Sequence, residues 1–161
     1  MKIAVFSDSH KKTYGIDKAL DKIIAYVGCI IHLGDGYDDV DEYKYIYSNI
    51  NFYNVLGNCD VDNIGREEHV FEIANKRIFI THGHLYSVKS GYSKIISAAK
   101  EKSVDICLFG HTHKADIFYD SEILFMNPGS ITYKGTNGRR SFGVIDITDE
   151  NAVAGIVTLK L

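Results

Sequence analysis

Tryptophan is absent from this 161-residue chain, and proline occurs once, at Pro128. That proline stands in Asn127-Pro128-Gly129-Ser130, a turn signature. No linker, low-complexity stretch or internal repeat interrupts the sequence, so residues 1–161 are expected to form a single domain. Cysteine is scarce and odd in number, at positions 29, 59 and 107. No disulfide framework follows, and a reducing, cytoplasmic setting is the simplest expectation. Cys29 and Cys107 lie in apolar runs and read as small buried hydrophobes. Long apolar runs are missing too. After Lys2 only four apolar residues precede Ser7, too few for a secretion signal, and no stretch approaches the roughly 20 residues a membrane span needs. Neither charge sign dominates: 18 Lys and Arg face 21 Asp and Glu, a net charge of −3. Such a balance argues against strong nucleic-acid binding.

What is present suits a globular α/β chain. Hydrophobic residues make up 45%, enough for a sizeable core. Residues 2–7 are almost wholly apolar and read as a strand buried on both faces. Ile16, Leu20, Ile23, Ile24 and Val27 repeat at helical spacing, which predicts a helix over 14–27 stopped by Gly28. A strand over 29–33, a helix carrying Val40, Tyr43, Tyr47 and Ile50, and a strand over 51–56 follow. This alternation predicts parallel crossover units. Residues 69–74 and 77–81 read as a hairpin turning at Asn75-Lys76, followed by a helix over 91–102 and a strand over 104–109. Strands over 116–120, 123–127, 140–147 and 152–160 complete the walk, with a loop from Gly135 to Gly138.

Polar clusters stand at the ends of the apolar runs. They are Asp8-Ser9-His10, Gly34-Asp35, Gly57-Asn58-Cys59-Asp60, Thr81-His82-Gly83-His84 and Gly110-His111-Thr112-His113. In an extended segment residues i and i+2 point to one side, so Asp-x-His and His-x-His can aim two donors at one point. Histidine is the commonest transition-metal ligand, and five of the seven histidines fall in these clusters. Seven carboxylate, imidazole and amide donors exceed the needs of one cation and suit two. His32, inside a strand, reads as a core residue, and His69 as exposed.

The order of these motifs resembles the calcineurin-like metallophosphoesterase superfamily. Gly-Asn-Cys-Asp, Thr-His-Gly-His and Asn-Pro-Gly-Ser resemble its small bacterial and archaeal YfcE-like phosphodiesterase branch. The resemblance runs from Ile3 to about Ile147. It implies a four-layer αββα sandwich of two mixed sheets flanked by helices, with a dimetal site at the strand C-terminal ends. It also implies Asp8, His10 and His113 as ligands of one metal, Asn58, His82 and His111 as ligands of the other, and Asp35 as the bridge. His84 matches a position near the site, and residues 127–130 shape a loop beside it. Asn58, Cys59, Asp60 and His82 are expected to act on the reaction, Asp60 by orienting a ligand or Cys59. The cofactors expected are two divalent transition-metal ions, Mn²⁺ first, with Ni²⁺, Fe²⁺ or Zn²⁺ as others.

The activity implied is hydrolysis of a small phosphodiester by a hydroxide bridging the two ions. One departure bears on it: many members carry histidine after Gly-Asn, where this chain has Cys59, a poorer proton donor. Good leaving groups should therefore be favoured. Access loops are expected over 36–39, 60–68, 84–91 and 131–139, and Arg66, Lys89, Lys134, Arg139 and Arg140 are candidates for contacting phosphate outside the metals. Two rival readings are a protein-binding scaffold like the retromer subunit Vps29, and a phosphomonoesterase or phosphatase. Eleven tyrosines and eight phenylalanines serve either core packing or a homo-oligomer interface.

Overall fold

The computed structural model describes residues 1–133, 139–148 and 150–160. Lys134 and the Gly135–Gly138 loop lie outside the described residues. The apolar segment Lys2–Phe6 forms β1, with Ile3 to Phe6 fully buried. It runs parallel to β2 (Cys29–His32), and β2 parallel to β3 (Asn51–Asn54). Two later strands, β9 (Arg140–Ile147) and β10 (Ala152–Leu159), add antiparallel on the other side of β1, giving the order β10-β9-β1-β2-β3. A second mixed sheet has the order β4-β5-β6-β8-β7. Its strands are β4 (Glu68–Ile73), β5 (Lys76–Thr81), β6 (Ile106–Leu108), β7 (Ala115–Asp120) and β8 (Ile123–Pro128).

Three apolar clusters separate four layers. Ile3, Val5, Ile31, Leu33, Ile80, Leu108 and Met126 belong to the core between the sheets. On the outer face of the first sheet, Ala4, Phe6 and Ile30 pack with Ile16, Ala19 and Leu20 of helix α1 (Tyr14–Ile23) and Tyr43 of α2 (Asp41–Ile46). On the outer face of the second, Phe79, Cys107 and Phe125 pack with Ile95, Ala98 and Ala99 of α3 (Ser93–Glu101). The order is α, β, β, α, the sandwich that the resemblance implied. Both Cys29 and Cys107 are fully buried. Among the described residues no helix is long and apolar enough to cross a membrane.

Several boundaries differ from the sequence reading, each for a local reason. Helix α1 stops at Ile23, and Ile24–Tyr26 tighten into a 3₁₀ turn. Val27 keeps its apolar contact in an extended conformation instead, since the chain must return beside β1, where Gly28 N–H donates to the Lys2 carbonyl. The second helical region is a 3₁₀ turn over Tyr37–Val40 followed by a short α2, and Tyr47 leaves helical geometry. The first hairpin turns at Ala74-Asn75, both with positive φ, a two-residue type I′-like turn. Ser121-Glu122 repeats that geometry between β7 and β8. His69 is half-buried, its ring 5.2 Å from Phe71.

Burial decides which apolar side chains hold the fold. Ile31→Ala, in the core between the sheets, should lower the unfolding free energy by about 2–5 kcal/mol in urea titrations. Ile64→Ala, at a residue 99% exposed, should change it by less than about 0.5 kcal/mol.

Candidate functional site

Strands β1, β2 and β3 run parallel, as do β5, β6 and β8, so the loops after them gather at one end of the sandwich. The Gly34-Asp35 and Gly57-Asn58 loops touch because both glycines lack a side chain. A Cβ on Gly34, at φ +92°, would stand 2.5 Å from Gly57 N, and one on Gly57 2.2 Å from Asp35 Oδ1. Asp8, His10, Asp35, His111 and His113 all adopt left-handed backbone, with φ from 48° to 68°. Such strain in non-glycine residues persists where surrounding contacts over-determine it, and it concentrates at functional sites.

Two groups of donors result. Asp8, His10 and His113 place one ligand atom each within 4.8 Å of one another, and so do Asp35, His82 and His111. Within the first group, the Nε2 atoms of His10 and His113 face each other at 3.5 Å, and His113 Nε2 is 3.1 Å from Asp8 Oδ1. Within the second, His82 Nε2 is 3.1 Å from His111 Nδ1 and 3.5 Å from Asp35 Oδ2. Asp35 Oδ2 also lies 3.8 Å from His10 Nε2, so this one carboxylate links the groups. Asn58 is exposed, and its amide nitrogen donates to Cys59 Sγ over 3.4 Å. His84 sits beside the second group, its ring centroid 5.5 Å from that of His82, with Nε2 3.8 Å from Glu67.

Each donor is held from behind. His82 is fully buried, and its Nδ1–H donates to the Leu33 carbonyl at 2.7 Å, which turns Nε2 toward Asp35. Asp60 grips the neighbouring loop: its Oδ2 accepts from the backbone N–H of Asp35 and Gly57, both at 2.8 Å, and its Oδ1 from Gly36 at 2.9 Å and Tyr37 at 3.0 Å. Both Asp60 oxygens are thus engaged with backbone, and its geometry is that of a positioning residue. Asn127 donates to the Gly110 carbonyl at 2.8 Å, fastening the loop of His111 and His113. Ser130 Oγ donates to the Asp8 carbonyl, also at 2.8 Å. Residues 127–130 therefore fasten the loops that carry Asp8 and His111.

A profile of the calcineurin-like phosphoesterase superfamily domain matches residues 1–150. The chain belongs to that superfamily. It is 29% identical to phosphodiesterase MJ0936 of Methanocaldococcus jannaschii over 161 residues, covering 91% of this chain and 93% of the relative. A crystal structure of a predicted phosphoesterase from Streptococcus pneumoniae superposes with TM-score 0.82 at 29% identity, over 98% of this chain and 88% of that one. Chaetomium thermophilum Vps29 superposes with TM-score 0.73 at 21% identity, over 98% and 96% of the two chains, and is similar in fold.

The donor set of this calcineurin-like chain fits divalent cations. Asp8 is fully buried, and its Oδ1 has no hydrogen-bond partner, with His113 Nε2 at 3.1 Å beside it. A buried carboxylate oxygen without a partner is costly unless a cation faces it. Burial alone would raise the Asp8 carboxyl, but His113, His82 and Ser7 hold it below the usual carboxylate range. Burial likewise opposes ionisation of Asp35, and His82 with the Cys59 amide overcomes it. His82 is raised despite burial, by Asp35, Asp8 and the Leu33 carbonyl, whereas burial and the neighbouring His82 push His111 down to about 4. Burial and then Asp35 push the Cys59 thiol up to about 11, so it is protonated at neutral pH.

Sequence reasoning missed several neighbours. The Tyr133 ring stacks parallel on His113, centroids 5.6 Å apart, and meets His10 edge-on at 4.9 Å. His32 is more than a core residue: its Nδ1 accepts from Gly34 N–H at 3.3 Å, and its Nε2 donates to Ser9 Oγ at 2.9 Å. Ser9 in turn donates to Asp39, which also accepts from Lys11 N–H. Tyrosine and serine carry no spacing signal that would have marked them. Of the cationic candidates, Lys89 lines an open cavity of about 540 Å³ with Tyr92, Thr112 and Lys114. Arg140 is half-buried and donates through Nε to the Thr132 carbonyl, and Arg66 and Arg139 are exposed.

Two outcomes follow from these supports. Asp60→Ala leaves four backbone N–H groups without their carboxylate, and should cost roughly 3 kcal/mol or more in urea unfolding, with weaker metal uptake in calorimetry. Burial holds His32 down to about 4, below its ordinary value of 6.5. The unfolded chain therefore takes up that proton first as pH falls. The contribution is fully present above pH 6.5 and lost progressively toward pH 4, about 3 kcal/mol at full titration. Metal-free His32→Gln should show a shallower loss of stability than wild type between those pH values.

Proposed function

We propose that this chain is a divalent-metal-dependent phosphodiesterase acting on a small phosphodiester. The observation that carries the reading is the pair of imidazole–carboxylate groups linked by Asp35, with the unpartnered Asp8 Oδ1 facing one of them. Asp8, His10 and His113 would hold one ion, His82, His111 and Asn58 the other, and Asp35 would bridge. The all-nitrogen-and-oxygen set suits Mn²⁺ as the first choice. When bound, the ions supply a water nucleophile at neutral pH and neutralise charge growing on the phosphoryl group. The phosphodiesterase name of MJ0936, similar over nearly its whole length, supports the diester preference.

The chain's own residues arrange that chemistry. The Leu33 carbonyl fixes the His82 tautomer, and Asp60 fixes the loop of Asp35. Left-handed backbone at five of the ligand residues sets their aim before any ion arrives. The position that would deliver a proton to the leaving group carries Cys59, whose thiol is a weaker hydrogen-bond donor than an imidazolium. Esters with good leaving groups should therefore react best. The exposed free thiol of Cys59 fits a reducing compartment.

Metal-stripped protein should hydrolyse bis(p-nitrophenyl) phosphate only after Mn²⁺ is restored. His111→Ala should lower that rate roughly 100-fold or more. Two Mn²⁺ bound per chain without hydrolysis of this ester would sink the enzyme reading and leave a metal-loaded binding scaffold.

A further inference from the structure

Cys59 brings a sulfur atom to the rim of the first group. Its Sγ, a ring nitrogen of His10 and a carboxylate oxygen of Asp35 all lie within 4.8 Å of one another. Backbone contacts preset this triad. Cys59 N–H donates to Asp35 Oδ1 at 2.8 Å, and His10 N–H donates to the Asp35 carbonyl at 2.8 Å. The three residues line a cavity of about 160 Å³ together with Tyr37 and Asn63, which gives an incoming hydrated ion a path. Asp8 Oδ1, fully buried and without a hydrogen-bond partner, lies 4.0 Å from His10 Nε2 at the same end of the site.

A thiolate–imidazole–carboxylate set differs in kind from the two nitrogen-and-oxygen groups. Thiolate sulfur favours Zn²⁺ and Cd²⁺, while Mn²⁺ prefers oxygen and imidazole. Three protein ligands with a fourth position open to water complete an ordinary tetrahedral arrangement for zinc. We propose that Cys59, His10 and Asp35 form a thiophilic-metal site overlapping the catalytic pair, where Zn²⁺ or Cd²⁺ diverts His10 and Asp35 and displaces Mn²⁺. As the sulfur–metal bond forms, the thiol releases its proton to water, and nothing is oxidised or reduced. The inhibitory consequence rests on the phosphodiesterase reading; the binding does not. Placing cysteine beside Asn58 thereby makes the enzyme sensitive to soft metals as well as lowering its acid strength.

The test uses the metal-stripped full chain and Co²⁺ as a spectroscopic probe. Wild type should develop a near-ultraviolet thiolate-to-cobalt charge-transfer band, saturating at one thiolate per chain. Cys29 and Cys107 are fully buried, so Cys59→Ser should abolish the band. His10→Ala should weaken Co²⁺ binding at this band about tenfold or more. In Mn²⁺-loaded protein, release of Mn²⁺ by added Cd²⁺, followed by electron paramagnetic resonance, should require about tenfold more Cd²⁺ in Cys59→Ser than in wild type. No band in wild type, or the same band in Cys59→Ser, overturns the site. Equal Mn²⁺ release from both proteins overturns the overlap. Neither readout needs turnover, so an inactive chain with the band would refute only the phosphodiesterase reading, and an active chain without it only this one.

Discussion

Two carboxylates, Asp8 and Asp35, are buried where the core between the sheets opens to solvent, and the surrounding structure serves to keep them ionised there. A buried charge is expensive, and one left without partners more so. His82 and His113, on loops that leave the opposite sheet, supply part of the compensation. The rest is left open at Asp8 Oδ1. That imbalance is destabilising in the bare protein and would become binding energy on cation entry, coupling cation affinity to local stability.

Holding the charges requires holding the loops. The supports lie one layer behind the ligands, in Asp60, Asn127, Ser130 and the chain from His32 through Ser9 to Asp39. Each joins loops that leave different strands. Asn127 reaches from the end of β8 to the loop after β6, and Ser130 from there to the loop after β1, which crosses from one sheet to the other. Asp60 joins the loops after β2 and β3. Strand-end loops are therefore cross-linked by hydrogen bonds around the donor residues, whose left-handed backbone such contacts over-determine.

Cys59 shows how one position couples chemistry and selectivity. Its amide supports Asp35, while its side chain faces His10 across the mouth of the site. A stronger acid there would assist a departing alkoxide. A thiol would assist less and would add a soft donor beside the nitrogen and oxygen donors, so the proposed metal preference and leaving-group preference both trace to this side chain.

The sequence by itself determined the alternation of strands and helices and the cluster order, while the four-layer arrangement followed from the family resemblance. Short runs such as Ile3–Phe6 and Ile30–Leu33, bounded by turn residues, read as buried strands, and helical spacing at Ile16 and Leu20 covers the outer face of a sheet. Asp8, His10, Asp35, His82, His111 and His113 were legible because metal-ligating residue types recur at strand ends with short, regular spacing. Element ends were less legible: Val27 and Tyr47 fit a helical pattern, yet the path back to the sheet pulled both out of the helix. Tertiary structure alone decided that Asp60 faces four backbone amides, that Tyr133 stacks on His113, that His32 supports Ser9, and that Cys59 stands within reach of His10. Those contacts join loops far apart in the chain. They depend on the register and packing of two sheets, which no local periodicity encodes.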